Sequence, residues 1–245
     1  FYIMERIRGI ILRKNLPEGL QLSRDEVARL CRTVIDTHIA LHEVDFAAAG
    51  LADLGRPMGY VRRQVEGWSE RFRAARTPNA PSYERVMAWL AEHQPGEVGA
   101  CLIHGDFRFD NLVLDPDDPL KVIGVLDWEM ATLGDPLMDL GASLAYWMQK
   151  GDPWLLRLMR LQPTHLPGMM TRDEVVAYYL ERRGLAVPSF DFYRVYGVFR
   201  LVVIMQQIYW RFFHGQTRTR RFGRFIWLIK YLEGYLERAI ADVRS

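Results

Sequence analysis

The residues best suited to chemistry lie between His104 and Glu129. In Ile103-His104-Gly105-Asp106-Phe107-Arg108-Phe109-Asp110-Asn111 an acid is followed five residues later by an amide, and Leu126-Asp127-Trp128-Glu129 supplies two further carboxylates. Phosphoryl transfer asks little covalent work of a protein: a site must orient a hydroxyl, hold Mg²⁺ on the phosphates and neutralise developing charge. Carboxylates and an amide at fixed separations perform these tasks. Mg²⁺ takes oxygen ligands and keeps several waters, so Asn111 and Asp127 supplemented by substrate phosphates suffice, and Glu129 adds a second-metal or water-mediated contact.

Short strands must deliver these groups. Cys101-Leu102-Ile103, Leu112-Val113-Leu114 and Val122-Ile123-Gly124-Val125-Leu126 are apolar runs, the last two separated by Asp115-Pro116-Asp117-Asp118-Pro119. Asp106 follows the first strand, Asn111 begins the second and Asp127 ends the third, so the polar groups converge at strand ends. Phe1-Tyr2-Ile3-Met4 reads as another short strand, with a second short apolar run at Ile10-Ile11-Leu12.

The rest is helical. Ser23-x-x-Glu26 forms a capping box ahead of Val27, Leu30, Val34, Ile35, Ile39 and Leu41, predicting a helix to about Val44. Further helices are expected over 60–75, from a Ser82 cap to near Gln94, over 136–149, over 171–183 behind a Thr171/Glu174 box, over 190–213 and over 219–243. Asp135 followed by Pro136 is a good helix start. The fold class is α+β, mainly α.

The bulk properties exclude several classes. At about 150 residues per domain, 245 residues make one large domain or two small ones. With 49% apolar and 25% charged residues the chain is neither disordered nor fibrous. A net charge of +2 calls for neither nucleic acid nor an anionic membrane. Arg194, Arg200, Gln206, Gln207 and Arg211 interrupt the most apolar stretch, 192–213, so it reads as a buried helix, not a membrane span. Two cysteines, Cys31 and Cys101, read as buried thiols in a reducing compartment, and a cytoplasmic location is expected.

Other features have simpler explanations. His38 and His42 are four apart on a helix, but Ile39 stands where a metalloprotease carries Glu, so zinc is not inferred. His93, His165 and His214 stand near turns or helix ends. Arg218, Arg220, Arg221 and Arg224 read as a solvated helix start, with an anionic substrate as the alternative. Tyr193, Tyr196, Phe199, Trp210, Phe212 and Phe213 read mainly as core, with some left to line an acceptor pocket.

His104-Gly105-Asp106 with Asn111, then Asp127-Trp128-Glu129, Gly134-Asp135-Pro136 and Asp139-Leu140, resembles the aminoglycoside phosphotransferase and choline kinase-like superfamily, which has a protein kinase-like fold. Within it the chain is similar to the kinase-like domain fused to some acyl-CoA dehydrogenases and to its bacterial stand-alone relatives. The likeness extends to Phe1–Arg6, which resembles a hinge strand, and to Gly55-Arg56-Pro57-Met58-Gly59-Tyr60. The resemblance implies Asp106 as catalytic base or hydroxyl-orienting group, His104 as the partner that holds the catalytic loop, and Asn111 and Asp127 as Mg²⁺ ligands. It also implies Asp139 as a buried acceptor for backbone amides of that loop, Asp135 as structural support, and the backbone of Met4, Glu5 and Arg6 as the adenine contact.

The activity implied is ATP-dependent transfer of the γ-phosphate to a hydroxyl of a small acceptor, with a hydroxylated acyl group suggested by the dehydrogenase-fused relatives. The alternatives are a non-catalytic pseudokinase-like module and a metal-dependent hydrolase, the latter lacking the extra histidines of a dinuclear phosphoesterase. An antibiotic acceptor is not supported, because the C-terminal half is rich in Arg and not in acids. One departure matters: Lys14, Lys121, Lys150 and Lys230 all follow the hinge-like strand, and no Gly-rich loop with a strand lysine precedes it. The expectation is therefore a hinge strand and linker over 1–9, a C-terminal catalytic lobe over 10–245, and a nucleotide lobe outside this chain, without which the fragment is inactive.

Overall fold

The computed structural model describes residues 5–243. In chain order the elements are α1 (Arg24–His42), α2 (Tyr60–Ala75), α3 (Glu84–Glu92), β1 (Cys101–Ile103), β2 (Leu112–Leu114), β3 (Val122–Val125), β4 (Thr132–Gly134), α4 (Pro136–Leu144), α5 (Trp154–Leu158), α6 (Arg172–Arg183), α7 (Asp191–Phe213) and α8 (Phe225–Val243). Short 3₁₀ turns occupy Phe109–Asn111, Trp128–Met130 and Arg220–Arg224. The fold is α+β and mainly α. No helix among the described residues is long and apolar enough to cross a membrane. The hinge-like strand Phe1–Met4 lies outside the described residues.

Two compact units are formed by interleaved stretches of chain. One holds the residues up to Gly55 with Cys101–Leu133 and Tyr146–Val187. Both of its long helices start at reciprocal caps: Ser23 N–H donates to Glu26 Oε2 at 2.8 Å while Glu26 N–H donates back to Ser23 Oγ, and Thr171 and Glu174 do the same for α6. α1 buries Val27, Leu30, Cys31, Val34 and Ile35. His42 Nδ1 meets Tyr179 Oη of α6 at 2.6 Å, so His42 joins two helices.

β2 and β3 form an antiparallel hairpin with Leu112 opposite Val125 and Val113 opposite Gly124, and an irregularity follows at Leu114. Ile10 bridges to Leu114 with two 2.8 Å backbone bonds, placing the Ile10-Ile11-Leu12 run along β2. This approach requires Gly9, where a Cβ would stand 2.3 Å from Leu114 O. β4 pairs with β1 and has no sequence signature of its own.

The other unit holds Arg56–Ala100, Gly134–Ala145 and the chain from Pro188. Its core is α7, against which α2, α4 and α8 pack. α4 and α7 cross backbone to backbone: a Cβ on Gly141 would lie 2.5 Å from Tyr193 O, and one on Gly197 would lie 2.1 Å from Gly141 O. Tyr193, Tyr196 and Phe199 are buried core, while Phe213 is exposed.

Several boundaries differ from expectation. Ser82 does not cap α3; Tyr83 occupies the N-cap at φ 56°, with its N–H donated to Glu233 Oε1 of α8 and its hydroxyl to Ile229 O. Long-range partners there replace a local cap. α4 stops at Leu144 and not near Gln149; beyond it Trp147 O accepts from Arg172, and Gln149 N–H donates to Asp152. The helix expected from Thr219 opens as the 3₁₀ turn and becomes α-helical at Phe225. Arg218, Arg220, Arg221 and Arg224 are exposed there.

Candidate active site

The hairpin brings the sequence-distant groups to one end. Leu126 N–H donates to Asn111 O at 2.8 Å, extending the β2–β3 ladder by one pair, so Asn111 and the residue preceding Asp127 face each other across the strands. Asn111 closes a 3₁₀ turn and is buried, and its Nδ2 donates to Asp106 O at 2.8 Å and to Asp106 Oδ2 at 3.3 Å. These bonds fix the amide orientation: the nitrogen faces the loop, and Oδ1 accepts nothing among the described residues.

His104 ties the loop to the neighbouring strand end. Its ring is fully buried; Nδ1 accepts from Asp106 N–H at 3.2 Å, and Nε2 lies 2.8 Å from Leu126 O. Only the tautomer with its proton on Nε2 satisfies both contacts. One imidazole thus sets the backbone at Asp106 and the chain immediately before Asp127. Phe107 stacks on His38 of α1 with centroids 4.0 Å apart and planes 6° from parallel, which anchors the loop to that helix. At Gly105, φ is +79° and a Cβ would stand 2.8 Å from Met130 O, so glycine lets the loop lie against the Trp128–Met130 turn.

Asp127 itself has φ 65° and ψ 56°. A non-glycine residue in the left-handed region costs of order 1 kcal/mol and marks a position where the surroundings over-determine the backbone. Asp127 and Glu129 are exposed and make no hydrogen bond or ion pair among the described residues, while Trp128 donates Nε1–H to Val125 O at 2.8 Å. The carboxylates are therefore presented outward from a turn that is itself held.

Asp135 and Asp139 belong to the second unit, on α4. Asp135 Oδ1 accepts from Leu137 and Met138 N–H at 2.9 and 3.0 Å, and Oδ2 accepts from Val98 N–H at 3.2 Å. Burial pushes its carboxyl above the usual range despite these amide donors. Asp139 is buried at 2% exposure. Glu5 and Arg6 are exposed and outside any regular element, and Met4 lies outside the described residues.

Two residues were not singled out by the sequence. Arg108 Nη2 lies 3.1 Å from Asp106 Oδ2 and 3.3 Å from Asp110 Oδ2. Gln162, 1% exposed, accepts Phe109 N–H at 2.8 Å and donates to Tyr146 O at 3.3 Å. The spacing Asp-x-Arg-x-Asp was a legible signal for the first; nothing local marks the second.

A loop presenting one held carboxylate, one oriented amide and two outward carboxylates fits nucleotide-dependent phosphoryl transfer. The family model for the Phosphotransferase enzyme family matches residues 1–173, and the chain belongs to that family. The chain is 37% identical over 221 residues to mouse acyl-CoA dehydrogenase family member 10, covering 89% of this chain and 20% of that protein. It thus spans a fifth of that relative's length. Among solved structures it resembles a Ralstonia eutropha protein classed with aminoglycoside phosphotransferases, with TM-score 0.83 and 26% identity over 98% of this chain and 73% of the other. The fold is shared, at TM-score 0.54 and 14% identity over 96% of this chain and 70% of the other, with a thermostable aminoglycoside phosphotransferase APH(4)-Ia solved in ternary complex with ADP and hygromycin B.

Proposed function

We propose that this chain is the catalytic C-terminal lobe of a small-molecule kinase that moves the γ-phosphoryl group of ATP to an alcohol hydroxyl. The observation that carries the reading is the joint presentation, at one end of the β2–β3 hairpin, of Asp106, the oriented amide of Asn111 and the outward carboxylate of Asp127. Asp106 receives the acceptor's hydroxyl proton as its oxygen bonds to phosphorus and the bond to the departing ADP breaks. His104 holds the loop that carries Asp106. The all-oxygen set of Asn111 Oδ1, Asp127 and Glu129 fits Mg²⁺, which when bound supplies charge neutralisation at the phosphates.

The reading assigns the phosphate-covering loop and its lysine to a nucleotide lobe outside these 245 residues, and adenine contacts to the backbone of Met4, Glu5 and Arg6. Residues 1–9 serve as the link and 10–245 as the lobe. Asp135 caps α4, and Asp139 is assigned to the support of the catalytic loop. A hydroxyacyl acceptor, as its CoA thioester, is the proposed class. The mouse relative's name and the exposed arginines of the C-terminal half support it. The two buried free cysteines support a cytoplasmic setting.

The test uses the protein with any chain that precedes Phe1 in its gene, supplied with Mg²⁺ and ATP and screened against hydroxyacyl-CoAs, aminoglycosides, choline and sugars. Asp106→Asn is expected to lower turnover on the order of 10²- to 10⁴-fold while the protein still unfolds cooperatively, and Asp127→Ala to weaken Mg·ATP binding. Wild-type turnover in Asp106→Asn removes Asp106 from this role. Binding of Mg·ATP without transfer to any acceptor favours the non-catalytic reading.

A further inference from the structure

Arg108 is the one Lys or Arg between His104 and Asn111, and its side chain is mostly buried. Its side chain is 16% exposed and divides one guanidinium nitrogen between Asp106 and Asp110. The guanidinium carbon lies 4.7 Å from the centroid of the Tyr146 ring. The backbone of Tyr146 is in turn bound by Gln162, which also takes the amide of Phe109, the residue after Arg108. The guanidinium is therefore held over a ring whose own main chain is tied to the same loop.

The distribution of bonds on Asp106 is one-sided. The shortest Arg108 contact and the Asn111 Nδ2 hydrogen bond both fall on Oδ2, and Oδ1 accepts no hydrogen bond among the described residues. Two buried atoms nearby are left unpaired, Arg108 Nε and Asp110 Oδ1. Orphaned polar atoms cost free energy and persist where the arrangement serves something other than stability.

We propose that Arg108 is a positioning residue for the transfer reaction. Together with Asn111 it holds Asp106 by Oδ2, so that Oδ1 is the oxygen offered to the acceptor hydroxyl. Asp110 acts as the second anchor that keeps the guanidinium from following the substrate's negative charge. An arginine suits this task because its planar fork is pre-organised and remains charged throughout the working range, whereas a lysine is a mobile point charge. The inference rests on the proposed kinase reading and adds to it which oxygen reacts and what selects it.

The experiment uses the gene-length protein in wild-type, R108M, R108K and D106N forms. Two quantities are measured: Mg²⁺-dependent conversion of ATP to ADP with water as acceptor, and the position of the Asp106 carboxylate in crystal structures. R108M is expected to lose kcat on the order of 10²-fold, the scale of a misplaced reacting group, with KM for Mg·ATP nearly unchanged and cooperative unfolding retained. In its crystal structure the Asp106 carboxylate should rotate away from Asn111 Nδ2. R108K should fall between wild type and R108M, which a purely steric role would not produce. The proposal is overturned by wild-type kcat in R108M, or by an Asp106 carboxylate that keeps its contact with Asn111 there. D106N separates the two layers: if D106N turns over like wild type the kinase reading falls, and if D106N is inactive while R108M is not, only the positioning role falls. Where the wild type hydrolyses no ATP, the crystal structure of R108M decides alone.

Discussion

The His104–Met130 segment, the candidate active site, and the crossing of α4 with α7 are held by opposite means. Between His104 and Met130 the chain runs through short turns with two left-handed residues, Gly105 and Asp127, and its shape is set by hydrogen bonds of His104, Asn111 and Gln162 and by the ion pairs of Arg108. At the α4–α7 crossing, Gly141 and Gly197 bring two regular helices together and the contact is set by steric fit. Directed bonds place a few atoms accurately at little cost in volume, so a segment built this way accepts changes of size better than changes of donor and acceptor. Close packing does the reverse, because interiors have no spare volume and a single methyl group must displace backbone.

The steepest way to break that contrast is at the crossing. Gly197→Ala should cost on the order of 1–3 kcal/mol, the usual overpacking penalty, and at roughly 2–4 °C per kcal/mol for a chain of this size that is several degrees in Tm. Calorimetry decides it, and an unchanged Tm would show that the helices separate freely and that the crossing is not close-packed. Asp106→Asn, which changes an acceptor and not a volume, should move Tm less than Gly197→Ala while lowering turnover on the order of 10²- to 10⁴-fold.

A smaller effect tests whether directed bonds also govern the second unit where it carries a cap. Burial raises the Asp135 carboxyl above the ordinary aspartate value of 3.8, so the folded state prefers the protonated form. Stability drawn from that preference is present below pH 3.8 and is lost as pH rises through the folded value. Urea midpoints should therefore fall over that interval in the wild type and fall less in Asp135→Asn. Equal slopes would mean that the three amide donors, and not burial, control this carboxylate.

The mildest test concerns packing in the first unit. Burial pushes the Cys31 thiol up to about 11, leaving about one part in a thousand as thiolate at pH 8. Iodoacetamide should leave Cys31 unmodified in the native protein by mass spectrometry and label it in urea. Rapid native labelling would show that α1 opens locally.

Much of this architecture is legible in the sequence because the deciding interactions are local. Ser23 with Glu26 and Thr171 with Glu174 close caps within one turn of helix, and both starts are where the pattern puts them. α2 and α7 lie where the charged helical pattern of 60–75 and the apolar stretch of 190–213 put them. The failures share one cause, partners far away in the chain. Ser82 looks like a cap, but Tyr83 is claimed by α8 some 150 positions on. β4 is a strand only because β1 lies beside it. Gln162 reaches Phe109 across 53 residues, and no spacing rule announces it.

The sequence by itself determined the chemical inventory and its order: one acid and one amide five apart, two carboxylates past the next strand, caps at the helix starts and glycines where the backbone must turn or approach. Those are set by residue type and by separations shorter than a helix turn or a hairpin. Only the tertiary structure decided which atoms face which. It turned the Asn111 nitrogen toward Asp106, placed both ring nitrogens of His104 between two chain segments, and brought the shortest Arg108 contact to Oδ2 of Asp106. Orientation is a property of packing, since a side chain has several rotamers of similar intrinsic energy and its neighbours select among them.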